Sequence, residues 1–253
     1  LRLVDAHAHL EEVEELEQAL RRAWEAGVKA IIAVGSDYHS SKFALELAEK
    51  PLRPKVYAAL GIHPWSLNPS TLDSTMEFIR RNLGKAVAVG EVGLDYWYKE
   101  TRRDREKQAL QRKVFEEFLK MAESNGKPVI IHSRGAWGDS LKMAIELGVE
   151  EAVFHWFSGP QEVLENLLSH GYYVSATPAV AYSREHRKAV LSTPLSRLLL
   201  ETDSPVSYGG KPSEPADILK TLEGVASVKN MSREKIAEET FENTLRFFKL
   251  PLD

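Results

Sequence analysis

Eight short apolar runs recur along the chain with longer stretches of helical spacing between them, and this rhythm limits the fold more than any other feature. The runs are LRLVDA, VKAIIAVG, KVYAALG, KAVAVGE, PVIIH, EAVFHWF, YYVSA and RLLLETD. Each has the length of a buried strand. Strands that alternate with helices build a parallel sheet covered on its faces. After the first run, EEVEELEQALRRAWEAG places Val13, Leu16, Ala19, Leu20 and Ala23 on one helical face and stops at Gly27. RKVFEEFLKMAESNG repeats the pattern and stops at Gly126. The segment MSREKIAEETFENTLRFF predicts a helix with Ser232 as its N-cap. Lys235 stands where a capping box has Glu or Gln, so that cap is partial. About eight β/α units in 253 residues match the size and rhythm of a TIM (β/α)8 barrel. A doubly wound α/β sheet is the rival. No composition break or low-complexity linker divides the chain, so a single domain over 1–253 is expected.

The ends of these runs are polar where apolar strands would ordinarily pass into turn residues. The first continues as DAHAHL, and His7 and His9, two residues apart, share a face with Asp5 behind them. The third ends in GIHP, with His63, and the fourth in GEVGLD, with Glu91 and Asp95. The fifth gives His132 and Arg134, the sixth His155, and the eighth Glu201 and Asp203. Five of the eight histidines therefore fall at strand C-termini, where barrel enzymes hold their chemistry. Imidazole combined with carboxylate suits Zn²⁺ or Mn²⁺, with Mg²⁺ less favoured by so many nitrogens. His7, His9, His132 and His155 supply nitrogens, and Glu91 and Asp203 supply carboxylates. That set is too large for one open catalytic zinc. It suits two divalent ions sharing a carboxylate, an arrangement that cleaves phosphoesters.

Charge and aromatic placement bear on the substrate. A net charge of −4 does not describe a protein coated in nucleic acid. Residues 98–113 nevertheless hold Lys99, Arg102, Arg103, Arg105, Lys107, Arg112 and Lys113 against Glu100, Asp104 and Glu106. Such a segment either meets phosphates near the barrel mouth or is a solvated helix start. Trp65, Tyr96, Trp97 and Trp156 fall in mouth loops, where they either stack on bases or pack inward. The absence of cysteine excludes disulfides and thiolate ligands and fits a cytoplasmic location. The chain starts at Leu1, and neither a leader pattern nor a run of eighteen apolar residues is visible, so no membrane association is expected.

The ordered set DAHAHL, GIHP, GEVGLDY, IIHSR, HWFSG and ETDSP resembles the TatD family of metal-dependent hydrolases over nearly the whole chain. The resemblance implies an amidohydrolase-like barrel and a deoxyribonuclease, in particular a 3′–5′ exonuclease on single-stranded DNA. Short or single-stranded DNA is then the expected partner. It further implies that His7, His9, Glu91, His132, His155 and Asp203 hold the metals and that Glu91 bridges them. Asp203 is expected to be the catalytic base, and His63 and Arg134 to contact phosphate, with Trp65 and Trp156 beside the bases. Gln111 and Phe115 match a family pattern read as packing. The chain departs from the family at Trp156, where Cys is frequent, at Trp65, where a second His is frequent, and at Ser213, where an NEPA-like motif has Asn. Two rival functions remain at this level. One is an amidohydrolase or lactonase acting on a C–N or C–O bond; Glu91, standing where many such enzymes use a carboxylated lysine, counts against it. The other is a metal-stabilised binding scaffold without turnover, against which the complete ligand set counts.

Overall fold

The computed structural model describes residues 1–251; the last two residues of the expected 1–253 domain lie outside the described residues. Eight parallel strands follow one another in sequence order around one sheet: β1 (Leu3–Ala8), β2 (Val28–Val34), β3 (Lys55–Leu60), β4 (Ala88–Asp95), β5 (Val129–Arg134), β6 (Ala152–Phe154), β7 (Tyr173–Ala176) and β8 (Leu198–Leu200). The helices between them are α1 (Leu16–Glu25), α2 (Tyr38–Ala48), α3 (Leu72–Asn82), α4 (Arg105–Ser124), α5 (Trp137–Glu146), α6 (Gln161–Ser169) and α7 (Arg184–Ser192). After β8 come a two-stranded hairpin, β9 (Ser207–Tyr208) with β10 (Lys211–Pro212), then α8 (Ile218–Lys229) and α9 (Arg233–Phe248). The β1–β8 seam is closed above β8 by a single bridge, Ala8 to Ser204. There His9 N–H donates to the Ser204 carbonyl at 2.8 Å, and Asp203 N–H donates to that of His7 at 3.0 Å. A sequentially ordered, nearly closed sheet is a TIM barrel in one domain, not the doubly wound alternative.

Alternation along the strands divides the core in two. Outward residues such as Val56, Ala58, Leu60, Ile131 and Phe154 meet the helices. Inward residues such as Ile32, Val34, Ala59, Ile130, Val153 and Leu199 fill the lumen together with Phe247, Phe248 and Leu250. The end of α9 thus plugs the barrel from below, leaving the C-terminal strand ends free to carry polar groups. Ser232 caps this helix as expected, its hydroxyl accepting from Lys235 N–H.

Strict alternation also decides which strand ends point inward. On β5, β6 and β8 it turns His132, His155 and Glu201 into the barrel without further device, since Ile131, Phe154 and Leu200 face out. On β1 and β4 it would fail. Leu3 and Val89 face the helices, so His7 and Glu91, an even number of residues on, would face out as well. The pairing register of β1 shifts between Asp5 and Ala8, and that of β4 between Val89 and Val92. Each irregularity reverses the phase of the strand at the point where an inward ligand is needed.

The first helix differs from its expected extent. It begins at Leu16, five residues later than the 11–27 pattern, because Glu15 takes a left-handed φ of 48°. Ala19, Leu20 and Ala23 are buried as predicted, while Val13 is half-buried in the connection from β1.

Candidate metal centre

Four donor atoms from three strand ends converge at the mouth. His7 Nε2 lies 3.3 Å from His9 Nε2, 3.2 Å from Glu91 Oε2 and 3.4 Å from Asp203 Oδ1. His9 Nε2 lies 3.3 Å from the same Glu91 oxygen and 3.5 Å from the same Asp203 oxygen. Bonds of about 2.0–2.2 Å around a tetrahedral ion hold neighbouring donors about 3.3–3.6 Å apart. Four of the five observed spacings fall in that range, and the fifth, His7 to Glu91 at 3.2 Å, lies just below it.

A second group gathers on the other oxygen of the same carboxylate. Glu91 Oε1 is 3.0 Å from His132 Nδ1, 2.9 Å from His155 Nε2 and 3.4 Å from His63 Nε2. His132 Nδ1 and His155 Nε2 are 3.4 Å apart. The donor set is nitrogen and carboxylate oxygen throughout, so two neighbouring divalent ions sharing Glu91 fit the residues present.

The ring nitrogens facing away from the centre are backed by further groups. Ser36 Oγ lies 3.2 Å from His9 Nδ1, and Asp95 Oδ2 lies 2.9 Å from His132 Nε2. Glu201 stands behind two rings at once, 3.4 Å from His155 Nδ1 and 3.9 Å from His7 Nδ1. Hydrogen-bonded outer partners such as Ser36 and Asp95 hold ligand rings in one orientation, whereas Glu201 meets its two rings by proximity of charge, without a hydrogen bond to either Nδ1. Trp156 N–H donates to Glu201 at 3.1 Å, fixing that carboxylate in turn. Trp156 and Asp203 both adopt left-handed backbone, φ 44° and 52°, which ordinary side chains rarely do. Strain of this kind gathers at functional sites.

The electrostatics follow from burial among unlike charges. Burial alone would raise the Glu91 carboxyl, but the imidazoles of His63, His155 and His7 outweigh it and hold it well below the carboxylate range. Asp203 is likewise raised by burial, then lowered overall by its hydrogen bond with His9 and by His7 and His155. His9 and His155 move the other way. Burial lowers them, yet Asp203 and Glu91 lift His9, and Glu91 and Glu201 lift His155, well above the ordinary value. His63 is the exception: burial pushes it down to about 4. Trp65 N–H donates to His63 Nδ1 at 3.1 Å, so the neutral ring carries its proton on Nε2, towards the centre.

Of the ten residues expected to hold metals or contact substrate, nine line one cavity of about 600 Å³; the tenth, His7, is buried beneath it. Arg134 is exposed on its wall, Trp65 is 48% exposed at its rim, and Trp156 is half-buried against Tyr208. Asp5 corrects the expectation that it shares the histidine face. The register shift parts its side chain from the His7 ring, and its carboxylate accepts from His7 backbone N–H at 3.3 Å and, across the seam, from Thr202 N–H at 2.9 Å and Thr202 Oγ1 at 2.6 Å. Burial pushes that carboxyl up to about 8. Gln111 is more than packing, since its side chain accepts from Asp95 N–H at 3.0 Å and donates to the Pro64 carbonyl at 3.3 Å. Ser36 and the role of Asp95 escaped the sequence reading. Asp95 carried a signal, a carboxylate four residues beyond Glu91 at the same strand end; Ser36, just past β2 in a GSD turn, carried none.

Comparison with known proteins agrees along the whole chain. The family model described as TatD related DNase matches residues 4–249. Deoxyribonuclease TATDN3 of Homo sapiens is 32% identical, with 97% of this chain and 94% of that protein covered. A protein named uncharacterized metal-dependent hydrolase YabD, from Bacillus subtilis, is also 32% identical, covering 98% of this chain and 99% of its own. The crystal structure of the TatD homologue YjjV from Escherichia coli superposes with a TM-score of 0.87 at 28% identity, over 99% of both chains. Among the described residues no helix is long and apolar enough to cross a membrane. The order of strand-end motifs, the barrel that carries them and these matches lead to one assignment: the chain belongs to the TatD family of metal-dependent hydrolases.

Proposed function

We propose that this hydrolase is a two-metal phosphodiesterase that degrades single-stranded DNA from a 3′ end. The observation that carries the reading is the division of Glu91, whose two oxygens each meet a separate set of ligand atoms. In this reading His7, His9 and Asp203 together with Glu91 would hold one ion, and His132 and His155 together with Glu91 would hold the other. Ions held there would supply acidity to an attacking water and positive charge for the phosphoryl oxygens. Asp203, buried yet open to the cavity, accepts the proton that the water loses. His63 donates its Nε2–H to a phosphate oxygen, and Arg134 adds a fixed charge from the wall. The deoxyribonuclease name of the human relative supports DNA as the substrate, and the family resemblance supports the polarity.

The test is a time course on end-labelled oligonucleotides with Zn²⁺, Mn²⁺ or Mg²⁺ added. We expect single nucleotides to leave from the 3′ end of a single strand, faster than from a duplex. Internal cutting of a sealed circle at an equal rate would overturn the exonuclease mode. Hydrolysis of lactones or amides with no turnover of any phosphodiester would overturn the reaction class.

A further inference from the structure

Two connections at the C-terminal end of the barrel, the end that holds the cavity, differ in charge. The connection from β1 to α1 carries Glu11, Glu12, Glu14 and Glu15, all at least partly exposed. Three strands round the barrel, the connection from β4 to α4 presents exposed Lys99, Arg102 and Arg103 beside Glu100 and Asp104, and it leads into exposed Arg105 at the start of α4. Among the described residues Arg112 is paired, with Asp139 at 2.8 Å, whereas Lys99, Arg102, Arg103 and Arg105 take part in no ion pair. A polyanion leaving the cavity is repelled by the first connection, which carries acids and no Lys or Arg, and meets unpaired cations at the second.

The β4–α4 connection also joins the cavity through aromatic rings. Trp65, on the cavity wall, stacks on Tyr98 with ring centroids 4.8 Å apart and planes 26° from parallel. Trp97 beside them is 58% exposed. The turn that bears Arg102 folds back on this stack, with Arg102 N–H donating to the Tyr98 carbonyl at 2.8 Å. One buried carboxylate holds the assembly. Asp95 Oδ1 accepts from Trp97 N–H at 2.9 Å and Tyr98 N–H at 2.7 Å, and Oδ2 accepts from Trp65 Nε1–H at 2.9 Å. The same Oδ2 meets His132 at 2.9 Å, so the aromatic platform and a residue of the metal centre share one anchor.

We infer that the β4–α4 connection is the track for the single-stranded DNA beyond the scissile phosphate, with a base stacked at Trp65–Tyr98 and phosphates on Arg102 and Arg103. The inference rests on the phosphodiesterase reading and extends it to the path of the strand. Rigid aromatic faces flanked by cations are how proteins hold single strands without regard to sequence.

The experiment measures binding of a short fluorescent oligothymidine over a range of salt concentrations, in the metal-loaded protein, with phosphorothioate linkages to slow cleavage. For the variant Arg102→Gln with Arg103→Gln we expect affinity to fall about tenfold at low salt. The slope of log Kd against log salt should shrink by about 1.4, the value for two lost contacts on a single strand. Turnover of a mononucleotide p-nitrophenyl ester, too short to reach the turn, should keep its wild-type rate. In a second variant, Tyr98→Leu, the preference for oligothymidine over an abasic strand of equal length should fall by about fivefold or more. Unchanged slope and unchanged base preference would overturn the track, whatever the turnover. Wild-type protein that cleaves no phosphodiester, while both binding effects appear, would overturn the reaction and leave the track standing.

Discussion

Two carboxylates at the end of the eighth strand sit two residues apart and have different work. Asp203 Oδ1 lies with the ring nitrogens of His7 and His9 and opens to the cavity, whereas Glu201 is 1% exposed and backs the rings of His7 and His155. Asparagine at 203 keeps one oxygen for a metal but cannot take a proton at neutral pH. Asp203→Asn should therefore lower turnover by roughly 10²–10⁴-fold while the fold persists. Glu201→Gln should reduce turnover less, since it only backs rings that other atoms hold. Metal content measured on each variant separates a lost base from a lost ion. An Asp203→Asn protein that retains its ions and its rate would place the base elsewhere. In the same assay, wild-type protein should approach two ions per chain, and Glu91→Ala should lower occupancy of both positions.

At the scale of the element, β4 does the most to build the centre. Its register shift turns Glu91 inward, and from there alternation places Gly93 and Asp95 on the same side. Gly93 has φ 148°, and a Cβ at that position would run into the His132 carbonyl on β5. The absence of a side chain lets the two ligand-bearing strands pair closely. Gly93→Ala should destabilise the protein by about 1–3 kcal/mol through backbone strain alone. It should also weaken metal retention, because Glu91 and His132 lie on the two strands forced apart. Denaturant unfolding and metal analysis on the same preparation check both effects. A variant with wild-type stability and metal content would mean that the strands yield more readily than the close approach implies.

The whole molecule separates stability from chemistry along the barrel axis. Phe247 and Phe248, at the end of α9, fill the lower lumen with small and branched residues from seven strands and Tyr173 of β7, while the polar cluster occupies the upper end. Phe247 is fully buried, and Phe247→Ala should cost about 3–5 kcal/mol of unfolding free energy. Its distance along the axis from the ligands leads us to expect near-normal turnover in the fraction that stays folded. Parallel measurement of thermal midpoint and specific activity at low temperature checks this. Equal losses of both would show that the plug also sets the geometry of the mouth.

The amino-acid sequence alone determined the barrel class and the polar strand ends, because strand alternation, helical period and turn residues are local properties that neighbours a few positions apart already express. The residue types at those ends pointed to divalent metals on chemical grounds. Tertiary structure decided the rest. Leu3 and His7 share a parity in the sequence, and only the register shift against β2 sends one to the helices and the other to the lumen. Asp5 looked like a partner of the two histidines until the β1–β8 seam gave it Thr202. Asp95 and Ser36 acquired their parts through His132 and His9, residues 37 and 27 positions away. The closing role of Phe247 and Phe248 required the chain to return beneath its own first strand. Contacts of this range depend on how the barrel closes, and closure is a property of all eight strands together, so no local pattern in the sequence records them.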